Sequence, residues 1–190
     1  MLVGSHRLCC PKPAGRRLRH SAVNSLLHRA LCSAQMPSKL EPAGLCRSDN
    51  KRPDGATLVP WSKGKPALRD FTCSHTTAPS NVRQASARSC AVAEEREKRK
   101  SALYRDLTSS HHFFPVAVET LGGFGPAAVS FVKGIGSRLE ASSGDPRATQ
   151  FLVQSISVAV QKGNALCVTG SIGAVSDGLS DALDCYSIVS

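Results

Sequence analysis

The stretch DNKRPDGATLVPWSKGKPALRDFTC, residues 49–73, decides how the rest of the chain is read. Two runs, Thr57–Trp61 and Pro66–Thr72, flank Ser62-Lys63-Gly64-Lys65. Gly64 supplies the turn, so the segment predicts a β-hairpin. Pro60 and Pro66 each remove a ladder donor, which puts the first strand at a sheet edge. Pairing across a four-residue turn sets Trp61 opposite Pro66 and Thr57 opposite Asp70, with Asp54 at the mouth of the hairpin. Two carboxylates converging there can share a hard divalent ion such as Mg²⁺, which one or two carboxylates suffice to hold. They can equally be acids that flank a turn, since Asp-Gly is common turn chemistry. Glu41, between the preceding helix and the loop, is the candidate third acid. A lysine nearby would orient a water or offset charge on a phosphate.

Outward from the hairpin the pattern alternates helix and strand. Residues 1–19 hold Pro11, Pro13 and Gly15 among basic residues and read as irregular. A helix capped by Ser21 carries Val23, Leu26, Leu27, Ala30, Leu31 and Ala34 at helical spacing until Pro37 stops it. Residues 74–87 read as polar loop, and 90–107 as a helix with Glu94–Lys98 and Glu95–Arg99 pairs. Residues 113–121 read as a buried strand. Pro126 opens a helix striped by Ala128, Phe131, Val132, Ile135 and Leu139, and weakened by Gly134 and Gly136. Asp145-Pro146 starts another, with Leu152, Ile156, Ala159 and Val160 inward and Gly163-Asn164 at its end. The expected fold is therefore α/β, a small mixed sheet with flanking helices. A disordered basic N-terminus and a loose Gly/Ser-rich tail beyond residue 168 complete the expectation.

Charge divides the chain. Residues 1–105 hold 20 Lys and Arg against 7 Asp and Glu, residues 106–190 hold 4 against 7, and the formal net charge is +10. An excess confined to one half suits a polyanion-facing surface, or a basic arm beside a solvated helix. The eight cysteines include no C-x-x-C pair and read as mostly reduced thiols. No apolar run approaches the roughly 18 residues of a membrane span, so no membrane partner is expected. The acid-free, Arg-rich opening also has the composition of a mitochondrial presequence.

Four blocks carry a resemblance: RHSAVNSLLHRAL (19–31), LEPAGLCRSDNKRPDGATLVPWSKGKP (40–66), PVAVETLGGFGPAAVSFVKGIGSRL (115–139) and ASSGDPRATQFLVQSISVAVQKGNA (141–165). Together they resemble the C-terminal region of animal non-LTR retrotransposon polyproteins, from about residue 4 to 168. That region follows the reverse transcriptase and resembles a restriction-like endonuclease of the PD-(D/E)XK type. The resemblance implies a metal-dependent DNA endonuclease that nicks target DNA for target-primed reverse transcription. Pro53-Asp54 would be the PD, Asp70 the second acid and Glu41 the acid of an EP block. The lysine usually two residues after the second acid is Thr72 here. The resemblance implies that it has moved to a K-x-x-K-Y pattern on the next helix, which matches Lys100 and Tyr104 with Leu103 at the second lysine. Arg69 stands at an aromatic position of the family, and Ser74-His75 where an acid is usual. Without the resemblance, Lys98 and Lys100 are solvated helix charges.

The resemblance further implies a zinc knuckle, of which His6, Cys10 and His20 would be the last three ligands. Its first cysteine would precede Met1, leaving an incomplete Zn²⁺ site. The basic opening is then an internal segment rather than a presequence. The implied organisation is a knuckle-like segment at 1–20, a restriction-endonuclease-like domain at 21–168 and a tail at 169–190. Implied cofactors are Mg²⁺ or Mn²⁺, with Zn²⁺ at the incomplete site. Implied partners are DNA, RNA and a reverse transcriptase domain in trans, in nucleus or cytoplasm. Two other readings compete with the nuclease. One is a non-catalytic nucleic-acid-binding remnant of the polyprotein, and the other a decayed product.

Overall fold

The computed structural model describes residues 14–45 and 51–169. In chain order the elements are α1 (Ala14–Ser33), β1 (Ser38–Leu40), β2 (Gly55–Ser62), β3 (Lys65–Ser74), α2 (Val82–Ala87), α3 (Ala91–Leu103), a 3₁₀ turn (Arg105–Ser109), β4 (His112–Glu119), α4 (Pro126–Ser143) and α5 (Ala148–Thr169). The strands form one mixed sheet in the order β1-β2-β3-β4. The first two pairings are antiparallel and β3–β4 is parallel, as the intervening α2–α3 crossover requires. The mixed α/β class expected from the sequence is the one observed.

One face of the sheet carries the main core. Val23, Leu27 and Leu31 of α1 meet Ala67 and Phe71 of β3, Val116 and Val118 of β4, Phe131 and Ile135 of α4, and Ile156 and Val160 of α5. The alternate residues of β3 and β4 face α3. Alternation along β3 therefore sorts Ala67, Arg69 and Phe71 to the α1 side and Leu68 and Asp70 to the other.

The hairpin is tighter than expected. Its connection is Lys63-Gly64, two residues with φ of 46° and 74°, the left-handed pair that matches strand twist. Ser62 then faces Lys65, one register shift brings Pro60 rather than Trp61 opposite Pro66, and after a second shift Ala56 faces Leu68 and Gly55 faces Arg69. The cause is local: Pro60 and Pro66 have no N–H to give. At the irregularity the Thr57 hydroxyl accepts from Ala67 N at 2.9 Å and donates to Val59 O at 2.8 Å. The expected Thr57–Asp70 pairing is thus replaced. The slip brings Asp54, one step beyond Gly55, alongside Asp70.

Two helix limits also differ from expectation, for one reason. α1 begins at Ala14 rather than Ser21, and α5 runs through Gly163-Asn164 to Thr169. The two helices cross where a Cβ on Gly163 would meet Arg19 and one on Gly15 would meet the Cys167 backbone. Asn164 is buried, donates to Thr120 O at 2.8 Å and accepts from Arg19. Local propensity at Gly-Asn suggested a stop; close helix contact uses the glycine instead. Gly134 and Gly136 have the same explanation, making room for the Trp61 ring and Thr149. Residues 74–87, expected as loop, include the short α2. The basic N-terminus up to residue 13 and the tail from 170 lie outside the described residues.

Two buried carboxylates fix the helices around the crossover. Glu119 Oε1 accepts from Val92 N and Ala93 N, both at 3.1 Å, at the start of α3. Glu97 accepts from Ala127 N and Ala128 N at 2.9 and 2.8 Å, at the start of α4. Each satisfies orphan helix donors and complements the helix dipole. The Gly-Gly-Phe-Gly-Pro loop therefore wraps a glutamate of its own chain: a Cβ at Gly125 would collide with the Glu97 carboxylate.

Gly163→Val tests the crossing of α1 and α5. It should cost roughly 1–3 kcal/mol by overfilling a close contact, read as a lower denaturation midpoint. An unchanged midpoint would mean that α5 does not continue past residue 163.

Candidate active site

Asp54 and Asp70, both from the 49–73 stretch, come together with Lys100 of α3 at the end of the β2–β3 pair. Asp70 is buried on β3 with 4% of its surface exposed, and the Lys100 ammonium on α3 is ion-paired to its Oδ2. That oxygen has no hydrogen bond. Burial pushes the Asp70 carboxyl above the ordinary range; Lys100 opposes the shift and the charge of Asp54 adds to it. Asp54 is held from two sides. Phe71 N donates to its Oδ2 at 2.6 Å, and His20 Nε2 lies 3.1 Å from the same oxygen. Burial opposes its ionisation, but His20 and the Phe71 amide outweigh it and the Asp54 carboxyl sits below its usual range.

His20 reaches this point because α1 starts early enough to include it. Its ring lies against Phe71, with centroids 5.8 Å apart, and Asn24, one turn on, approaches His20 Nδ1 at 3.2 Å. The hydrogen bond to Asp54 holds the imidazole above its ordinary pKa against the opposing effect of burial. Of the three expected knuckle residues, His6 and Cys10 lie outside the described residues. His20 lies within them and serves the acid pair.

Glu41 stands apart. Its backbone N–H donates to Asp54 O at 3.0 Å, extending the β1–β2 ladder. Its side chain, however, is exposed and paired with Arg52.

Arg69 is the member that sequence reasoning passed over. It is 1% exposed, on the α1 side of β3. Its guanidinium donates to Asn24 Oδ1 and, at 3.1 Å, to Asn24 O, leaving Nε without a partner. Burial lowers its pKa to about 10, while Asp54 and Asp70 act in the other direction, so it stays charged near neutrality. A Cβ on Gly55 would lie 2.8 Å from the guanidinium carbon. The glycine of Asp54-Gly55 thus clears space for a cation rather than making a turn. The available signal was the alternation of β3, which puts residue 69 on the core side beside Ala67 and Phe71.

The cluster therefore sets two carboxylates among Lys100, Arg69 and His20. Among the described residues, no group of three or more His, Cys, Asp or Glu side chains is arranged to hold a metal ion. The donor set still suits a hard divalent cation, since Mg²⁺ takes one or two carboxylates and keeps several waters, and Asp70 Oδ2 meets no donor other than the Lys100 ammonium among the described residues. It does not suit zinc, which takes four N or S ligands in a structural site.

A basic cleft opens beside Asp70. It has a volume near 380 Å³ and includes Lys100, Arg96, Arg99 and Arg16 in its walls. A smaller recess of about 80 Å³ shares Arg16, Thr72 and Cys73 with it and reaches His20.

No protein-family model matches the chain, and no curated protein matches it in sequence.

The His20–Asp54 contact makes stability depend on pH in two windows. The folded pKa of His20 is raised, so its contribution is full below the unfolded value near 6.5 and is lost as pH rises through the folded value. The folded pKa of Asp54 is lowered, so its contribution is present above about 3.8 and lost as pH falls through the folded value. Wild type should therefore be more stable than His20→Gln at pH 6, and the gap should close on raising the pH past the folded His20 value. Denaturant titrations of both proteins across pH 5–9 check this. A gap independent of pH would mean that the pair does not form.

Proposed function

We propose that this chain is the endonuclease region of a non-LTR retrotransposon polyprotein and hydrolyses a DNA phosphodiester with a divalent cation, Mg²⁺ or Mn²⁺. The observation that carries the proposal is convergence. Asp54 precedes β2, Asp70 lies on β3 and Lys100 on α3, up to 46 residues apart in sequence; all three match acid and lysine positions of the resembled family, and they meet at one place. The element order supports the reading as well, with a helix, an antiparallel hairpin, a crossover helix and a parallel fourth strand, and with the acids on the central hairpin.

Asp54 and Asp70 would hold the cation. When bound, the ion would lower the pKa of a coordinated water and offset charge on the scissile phosphate. Lys100 holds an ammonium against Asp70 in the absence of substrate, and the same ammonium is placed to meet a phosphate oxygen or orient the attacking water. His20 and the Phe71 amide fix Asp54, so its carboxylate does not have to be ordered when substrate arrives. The positive first half of the chain would hold the DNA by phosphate contacts, giving strong salt dependence. A nick made in this way would leave a 3′ end for a reverse transcriptase acting in trans, in nucleus or cytoplasm. Among the described residues, no helix is long and apolar enough to cross a membrane.

One observation favours a second reading, a nucleic-acid-binding remnant without catalysis. With Lys100 against Asp70, His20 against Asp54 and Arg69 behind both, the acids are already neutralised by the chain itself.

Incubation with supercoiled plasmid and Mg²⁺ or Mn²⁺ separates the two. The nuclease converts plasmid to open circles. Asp70→Ala abolishes this, and Lys100→Met slows it on the order of 100-fold. Plasmid that stays closed with wild type, yet is retarded in a gel at low salt, establishes the remnant.

A further inference from the structure

We infer that the cleft between α3 and the end of β3 is a phosphate-binding subsite that takes the backbone of a nucleic-acid strand next to the phosphate held at Asp70. The inference rests on the nuclease reading for the identity of the neighbouring site, while the cleft itself is defined by its own residues.

The wall supplied by α3 is a helical stripe. Arg96, Arg99, Lys100 and Leu103 stand at i, i+3, i+4 and i+7, and all four line the cleft. Lys100 is common to the cleft and the acid pair, because its ammonium reaches Asp70. Arg96 lies one turn back, about 6 Å along the helix axis, on the order of the step between successive phosphates of one strand. It is half-buried and has no ionic partner among the described residues. Arg99 is held by Glu95 at 2.9 Å, so its guanidinium is already ordered. The opposite wall includes Arg16 from α1 and Asn81 from the loop after β3.

No carboxylate lines this cleft. Four basic side chains line a recess that no carboxylate lines, although Arg99 and Lys100 also meet Glu95 and Asp70 outside it, and an arginine fork matches phosphate oxygens in pairs. Of the acids on α3, Glu94 turns to Arg88 and Lys98 and Glu97 to the start of α4, while Glu95 holds Arg99 from outside the lining. Arg96 is the cation of this stripe without an ionic partner among the described residues, one turn from the lysine that meets Asp70. A continuous chain of phosphates fits this better than a free anion, because the site is a track leading from the acid pair.

The test measures binding of a fluorescent 20-nucleotide DNA strand in EDTA, where hydrolysis is stopped, over a range of salt concentrations. Arg96→Gln/Arg99→Gln is compared with wild type and with Arg29→Gln, an exposed arginine in the separate groove between α1 and α5. The double variant should bind about 10-fold more weakly at low salt. Its log K against log salt slope should be shallower by about 1.4, at roughly 0.7 per lost phosphate contact on a single strand, while Arg29→Gln follows wild type. An unchanged slope in a double variant with wild-type circular dichroism overturns the subsite, as does equal weakening by Arg29→Gln. Equal weakening by wild-type-level inorganic phosphate and by chloride at the same ionic strength supports a strand, and phosphate displacing DNA at low millimolar concentration overturns it in favour of a free-anion site. Failure of the nuclease reading shows separately, as closed plasmid with Mg²⁺, and leaves the binding result standing on its own.

Discussion

A guanidinium buried between α1 and the sheet organises this fold. Arg69 is fully buried, and a buried charge without partners costs several kcal/mol. The structure meets that cost with three segments at once: Asn24 of α1 gives two acceptors, and Asp54 and Asp70 give opposing charge. Gly55 gives space, since any side chain there would enter the guanidinium. α1, β2 and β3 are therefore fixed relative to one another by one side chain, in a sheet whose first pairing is only three residues long. The same constraint positions the acids, because Arg69 lies between Leu68 and Asp70 in sequence and opposite Gly55 in register.

Charge also sets the rest of the frame. Glu119 at the end of β4 holds the first turn of α3, and Glu97 within α3 holds the first turn of α4. These contacts fix α3 at both its start and its middle, and Lys100 lies less than one turn beyond Glu97. The lysine reaches Asp70 because two buried carboxylates place its helix. Tyr104, stacked on Phe113 of β4 with centroids 4.6 Å apart, anchors the far end.

Much of this was legible, and the failures have specific causes. The hairpin, the i,i+4 pairs of α3, the stripe of α4 and the core of α5 follow from periodicity, which local sequence carries. The register of the hairpin did not, because its two shifts arise from prolines on facing strands and a threonine hydroxyl that substitutes in the ladder. The start of α1 and the end of α5 were missed because Gly15 and Gly163 look like breakers alone and become close-contact sites only when the two helices meet. At the site, Asp54, Asp70 and Lys100 could be named from family resemblance. The roles of Arg69 and His20 could not, since each depends on a partner 45 or 34 residues distant that no local pattern links to it.

The charge arrangement bears on how a substrate would be received. Before anything binds, each acid is matched by a cation of the chain, but the matches differ in kind. Arg69 is enclosed and hydrogen-bonded to Asn24 on the α1 side of β3, the face opposite Asp70. Lys100 is at 30% exposure, and its ammonium pairs with Asp70. Of the two, only the lysine can leave without unmaking the fold. On the proposed reading, Asp54 and Asp70 would hold a divalent cation, and Lys100 would be the side chain able to exchange Asp70 for a phosphate oxygen. The partly exposed lysine and the enclosed arginine thus divide their roles between the two faces of β3, the first suited to exchange and the second to holding α1 against the strand.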